Sequence, residues 1–169
     1  PYNLDESLHL AHTTTFRNRL HTREDCAKIG VIDLETEKFE QLDTTFAWNF
    51  QQGAMLQYHP FLENTIYYNI CENGTFKTVT HNFETGDKKY TDMATACVSP
   101  DGKWGLSVNY GRIYAFRPGY GYAWPTDSHY YDNHSSEDGV FITDMQTGKS
   151  ELVLSLQEIW DFSGSFFGK

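Results

Sequence analysis

Between Gly111 and Gly139 the chain concentrates side chains that can do chemistry: Arg112, Arg117, Tyr120, Tyr122, Trp124, Asp127, His129, Tyr130, Tyr131, Asp132 and His134. Tyrosine and tryptophan rings stack on the CH face of a sugar, and an arginine fork reads a carboxylate. Together these types suit a carbohydrate or similar polar ligand, acidic sugars included, with Arg112, Arg117, Tyr120, Tyr122 and Trp124 as the binding residues. The glycine–aromatic alternation and two prolines, Pro118 and Pro125, shape the stretch more than they loosen it. So long a connection in a compact β-domain is usually functional or disordered. A packed lid, or a contact with a neighbouring repeat, fits the same residues.

A second group lies upstream. Trp48, Gln51 and Gln52 precede an expected inner strand over Ala54–Tyr58. An indole and two adjacent amides facing a central channel would bind hydroxyl groups; buried instead, the amides would bond neighbouring backbone. The expected ligand site is where the 111–139 insertion meets Trp48, Gln51 and Gln52. His129 and His134, with Asp127 and Asp132 interleaved, have donor types for a divalent ion. A solvated polar loop gathers such residues by chance, so no metal or other cofactor is assigned, and an ion at His129 and His134 stays an option. His9 and His12 could pair on a helix face, but their segment does not read as helix. There is no G-x-S-x-G elbow, P-loop, dinucleotide fingerprint or H-E-x-x-H, so catalytic residues remain unassigned and the question of enzyme activity stays open.

The elements that must position these groups read as hairpins. Ser99-Pro100-Asp101-Gly102-Lys103-Trp104 is turn chemistry between two strand-like runs, with Pro presetting φ and Gly accepting positive φ. Leu8–Phe16 reads as extended and Arg17–Cys26 as loop. Lys28–Leu34, Phe39–Leu42, Ala54–Tyr58, Thr65–Ile70, Phe76–Asn82 and Lys89–Thr91 read as strands. One turn recurs, as Asp33-Leu34-Glu35-Thr36-Glu37-Lys38, as Asn82-Phe83-Glu84-Thr85-Gly86-Asp87 and as Asp144-Met145-Gln146-Thr147-Gly148-Lys149. His59-Pro60 and Ser99-Pro100 mark a second kind of turn between the copies. A four-stranded unit of about 40 to 50 residues with two alternating turns is a propeller-blade signature. About three blades fit, whereas propellers close with about 4 to 8. The expectation is an all-β, propeller-like fold of about three four-stranded blade-like repeats, a partial propeller, with a β-sandwich as the alternative. Residues 1–27 read as an N-terminal lead-in, and 28–169 as the propeller-like domain carrying the insertion at 111–139.

Bulk properties exclude some partners. A net charge of −10 over 169 residues disfavours nucleic acid and anionic membrane, both of which want clustered Lys and Arg. No run approaches the roughly 18 to 20 apolar residues of a membrane span. No signal-peptide pattern opens the chain, and a start at Pro1 rather than Met leaves localisation unread. Cys26, Cys71 and Cys97 form neither a disulfide framework nor a zinc pattern and read as buried, reduced thiols.

The recurring Asp-Leu-x-Thr-Gly-Lys-type turn and the Ser-Pro-Asp-Gly-Lys-Trp hairpin resemble the blades of TolB-like and WD40-like β-propellers, over most of residues 28–157. Trp48–Tyr58 and Arg117–Ala123 resemble segments of uncharacterised bacterial propeller proteins. More distantly the architecture is similar to oligogalacturonate-lyase-type polysaccharide lyases, which hold a divalent metal through several His and a Gln. This sequence lacks their close Gln/His/His cluster. The resemblance is specific for a fold that serves many functions. With the residues above, the expectation is a carbohydrate-binding module first, then a lyase-like enzyme, then a protein-interaction scaffold, with further blades or another chain as partner.

Overall fold

The computed structural model describes residues 1–124 and 126–167; Pro125 and residues 168–169 of the expected insertion and domain lie outside them. Eleven strands form three antiparallel sheets, each a meander in sequence order. The first holds β1 (Leu8–Thr13), β2 (Ala27–Asp33) and β3 (Lys38–Thr45). The second holds β4 (Gln57–Tyr58), β5 (Thr65–Glu72), β6 (Thr75–Asn82) and β7 (Lys88–Tyr90). The third holds β8 (Thr95–Val98), β9 (Trp104–Val108), β10 (Gly139–Asp144) and β11 (Ser150–Ser155). Helices α1 (Tyr110–Phe116) and α2 (Leu156–Phe167) complete the chain. The all-β reading holds. Among the described residues no sheet closes on itself, and there are three sheets where a sandwich has two.

The repeated turn has one mechanism in all three sheets. Its first side chain folds back on the backbone: the Asp33 carboxylate accepts from the Thr36 N–H, the Asn82 amide oxygen from Glu84 and Thr85, and the Asp144 carboxylate from Gln146 and Thr147. The fifth residue takes positive φ, at Glu37 (57°), Gly86 (80°) and Gly148 (76°). A short polar side chain that caps its own turn, followed by a left-handed residue, is what reverses these strands. The Ser99 turn closes similarly, with Gly102 N–H donating to the Ser99 carbonyl at 2.8 Å.

Alternating residues then bury two cores, one on each side of the second sheet. Leu10, Ala27, Ile29 and Val31 of the first sheet meet Ile66, Tyr68 and Val79 of the second, with Trp48 and Ala54 between. On the other side Ala47, Ala94, Tyr110 and Tyr122 are buried against Phe76, Val108 and Ile113. Each large apolar side chain so buried contributes about 1.5–3 kcal/mol. A polar hub runs through the second core. Asn69 donates to the Thr95 carbonyl and the Tyr122 hydroxyl, both at 2.8 Å, and accepts from the Thr78 hydroxyl at 2.7 Å. The Thr45 hydroxyl donates to the Asn69 carbonyl. Strands of all three sheets thus converge on Asn69, through its side-chain amide and its backbone carbonyl, and the buried amide has partners for both its N–H groups and its oxygen.

Several expectations change. The segment read as lead-in supplies β1, paired with β2 over its whole length, so the first sheet is three-stranded where four were expected. Pro1–Asn3 runs beside β1, with Asn3 and Leu10 N–H groups bonded to the Leu8 and Pro1 carbonyls. The strand expected over Ala54–Tyr58 shortens to β4, because positive φ at Gly53 and Met55 turns the chain first. Cys26 and Cys97 are exposed and Cys71 is half-buried, so these unpaired thiols are not the buried ones expected. Among the described residues no helix is long and apolar enough to cross a membrane.

Candidate functional site

The insertion opens as a helix, not as a loop. Asn109 caps α1 by accepting the Arg112 N–H at 3.0 Å, the bond an N-cap residue supplies to an orphan amide. Tyr110 and Ile113 turn inward to the second core. The chain then doubles back, and the Tyr122 N–H bonds the Tyr110 carbonyl. A methyl on Gly121 would lie 2.0 Å from the Tyr114 nitrogen, so only glycine lets the return strand press on the helix. That contact stacks the Tyr122 ring on Tyr110, with centroids 4.1 Å apart and planes at 10°. Tyr122 is therefore fully buried, and burial pushes its phenol far up. It is a core residue and presents no face to a ligand, which corrects its place among the binding candidates.

Arg112 is a clamp. Its guanidinium lies 3.2 Å from the Asp127 carboxylate and 3.8 Å from Asp138, and donates to the His129 and Asp132 carbonyls. The Asn109 amide bridges both carboxylates, at 2.8 and 3.0 Å. Every group of this cluster is committed within the protein. Arg112 thus folds residues 127–138 over the helix and does not reach a ligand.

Trp48 faces no channel. It is fully buried, ringed by His12, Phe16, His21 and Phe50, with its indole N–H on the Asp25 carbonyl at 2.8 Å. Gln51 and Gln52 differ: their backbone N–H groups bond the Asn49 side chain, and their own side chains are exposed. The same Asn49 donates to the Tyr120 carbonyl at 2.9 Å. A methyl on Gly119 would lie 4.0 Å from Gln51 Cγ. Asn49 and Gln51 thus lie against Tyr120 and Gly119 of the insertion. There Arg117 is exposed, its guanidinium 4.3 Å from the centre of the Tyr120 ring, and it makes no ion pair among the described residues. Trp124 lies elsewhere, near Gly74 at the β5–β6 turn.

His129 and His134 have different neighbours. His134 stacks on Trp160 at 4.0 Å, while His129 faces Ser135. Among the described residues no three His, Cys, Asp or Glu side chains are grouped to hold a metal ion. A cleft of about 230 Å³ lies between the second and third sheets and the insertion, lined by Asp92, Asn109, His129, Glu137, Asp138 and Phe141 among others. It is smaller than the roughly 300–1,000 Å³ of typical small-molecule sites.

A further titratable cluster was not foreseen. The Tyr68 hydroxyl donates to the Asp43 carboxylate, which also takes the Lys88 ammonium at 2.7 Å, with His81 Nδ1 3.3 Å from the hydroxyl. Burial resists ionisation of Asp43, yet the bonds from Lys88 and Tyr68 outweigh it and hold the carboxyl below its ordinary range. Burial and the adjacent carboxylate raise the Tyr68 phenol well above its own. Tyr68 is a donor here, and the cluster latches β3 to the second sheet. Comparison with protein-family models, curated proteins and solved structures finds no match to this chain.

Proposed function

We propose that this chain is a β-propeller-type binding module whose surface at Gln51, Gln52, Arg117 and Tyr120 takes a carbohydrate or similar polar ligand bearing a carboxylate. The observation that carries this reading is Arg117. It is an exposed guanidinium with no ion-pair partner among the described residues, held over the Tyr120 ring, whose backbone carbonyl the Asn49 side chain holds. A fork of this kind binds carboxylates in two parallel hydrogen bonds, and amides serve hydroxyls. The propeller part is supported by three meanders stacked in chain order with the same turn in each.

The test is calorimetric titration with oligogalacturonate and with a neutral oligosaccharide of equal length. Binding of the acidic sugar is expected, weakened tenfold or more by Arg117→Ala and a few-fold by Gln51→Ala, with the melting temperature unchanged. Equal affinity for both sugars, or none for either, overturns the reading.

A second reading, the interaction scaffold, rests on the third sheet. Trp104, Leu106 and Leu154 stand exposed on its strands and Trp160 on α2. An apolar patch of this kind marks a contact surface, and further blades or another chain would cover it. Sedimentation that reports self-association in wild type and monomer in Leu106→Lys would favour this reading. The lyase-like alternative has no observation of its own among the described residues.

A further inference from the structure

His21 lies in the loop between β1 and β2 and is fully buried, and neither ring nitrogen has a hydrogen-bond partner among the described residues. Its ring leans on Trp48 at 4.8 Å and meets the edges of Tyr114 and Phe50 at 5.5 and 6.1 Å. Among the described residues, two side-chain hydrogen bonds tie residues 17–26 to the rest of the protein. Trp48 donates to the Asp25 carbonyl, and the Tyr114 hydroxyl donates to the His21 carbonyl. The other side-chain bonds of this loop are internal, chiefly Arg19 and Thr22 on Asp25. The loop is therefore bonded chiefly within itself and is held on the aromatic socket by these two bonds and the buried His21 ring.

We propose that His21 is a pH-sensitive keystone. Neutral, it seats the 17–26 loop on Trp48 and α1; protonated, it releases that loop while the sheets stay folded. An imidazolium enclosed by rings, with no acceptor for either N–H, has lost its hydration without replacement. Attraction of the cation to the Trp48 ring offsets only part of that cost. The groups facing the socket do not supply the rest. Residues 47–52 carry no titratable side chain. From α1 comes only the Tyr114 phenol, which donates elsewhere. His12 of β1, across Trp48, is itself basic. Asp25 attracts the imidazolium but is committed to Arg19, and burial outweighs it, so the ring stays below its ordinary range. The socket lies under the turn that carries Gln51 and Gln52, so release would also loosen that surface.

The experiment pairs an NMR titration of the histidine rings with amide hydrogen exchange, corrected for intrinsic rates, between pH 7.5 and 5. The His21 ring is expected to titrate below the ordinary histidine value. Exchange over residues 17–26 and α1 is expected to rise tenfold or more toward pH 5, with sheet amides unchanged. His21→Phe abolishes that rise and His12→Gln leaves it. A His21 ring titrating at or above about 6.5, the same rise in His21→Phe, or its loss in His12→Gln overturns the proposal. Should the Phe variant fail to fold, the wild-type ring titration and exchange pattern decide alone.

Discussion

Arg112 and Arg117 belong to one short segment and do opposite things. Arg112 is nearly buried and neutralises two buried carboxylates, Asp127 and Asp138. Removing one partner of a buried pair leaves an uncompensated charge, which costs about 3–5 kcal/mol. Arg112→Ala should therefore lower unfolding stability by that amount in urea titrations and unseat residues 127–138. Among the described residues Arg117 touches one ring and no carboxylate, so Arg117→Ala should change stability by no more than about 0.5 kcal/mol. Composition offered both arginines as ligand-binding on equal terms. What separates them is the return of the chain over α1, which brings Asp127 and Asp138 to Arg112 and, among the described residues, no acidic side chain into an ion pair with Arg117.

At the scale of elements, the repeated turn makes a graded test. Its fifth position has positive φ in all three copies, yet the first copy holds Glu37. Glu37→Gly should stabilise the protein by about 0.4–1 kcal/mol, as glycine adopts that backbone without strain. The two glycines are not equivalent. A methyl on Gly86 meets nothing within 4 Å, whereas one on Gly148 would lie 2.6 Å from the Tyr90 carbonyl. Thermal melts should rank Gly148→Ala well below Gly86→Ala. Helix α2 had a legible start: Ser155 and Glu158 form a reciprocal capping box, with bonds of 2.8 and 3.1 Å, and Ser-Leu-Gln-Glu at 155–158 spells that motif. Helix α1 was less legible. Asn109 is an N-cap residue, but Gly111 within the helix and the aromatic alternation after it also suit a loop.

For the whole molecule, acid should act in two stages. His12, His21, His59 and His81 all lie below the ordinary histidine range, burial being the leading cause. Each is neutral when folded and binds a proton more readily when unfolded. Their contribution is intact above about pH 6.5 and declines as pH falls below it, because the unfolded state gains protons. Asp25 and Asp43 lie below the ordinary carboxylate range, through Arg19 and through Lys88 with Tyr68. Their contribution is intact above about pH 4 and is lost only below it. Urea midpoints measured from pH 8 to 3 should fall first between about 6.5 and 5, then again below 4. A flat profile down to pH 5 would contradict the burial of these imidazoles.

By itself the sequence determined the all-β class, the hairpins and the repeated turn, because each rests on neighbours in the chain: alternation, Pro-Asp-Gly, and an Asp or Asn folding onto its own backbone. Only the tertiary structure decided which aromatic and charged residues are spent inside. Trp48 and Tyr122 look like sugar platforms until the sheets stack and enclose them. Asn69, Asp43 and Tyr68 look ordinary until strands distant in sequence bring their partners within hydrogen-bonding reach. Burial and pairing are set by which surfaces meet in space, and residue type and spacing along the chain do not contain that.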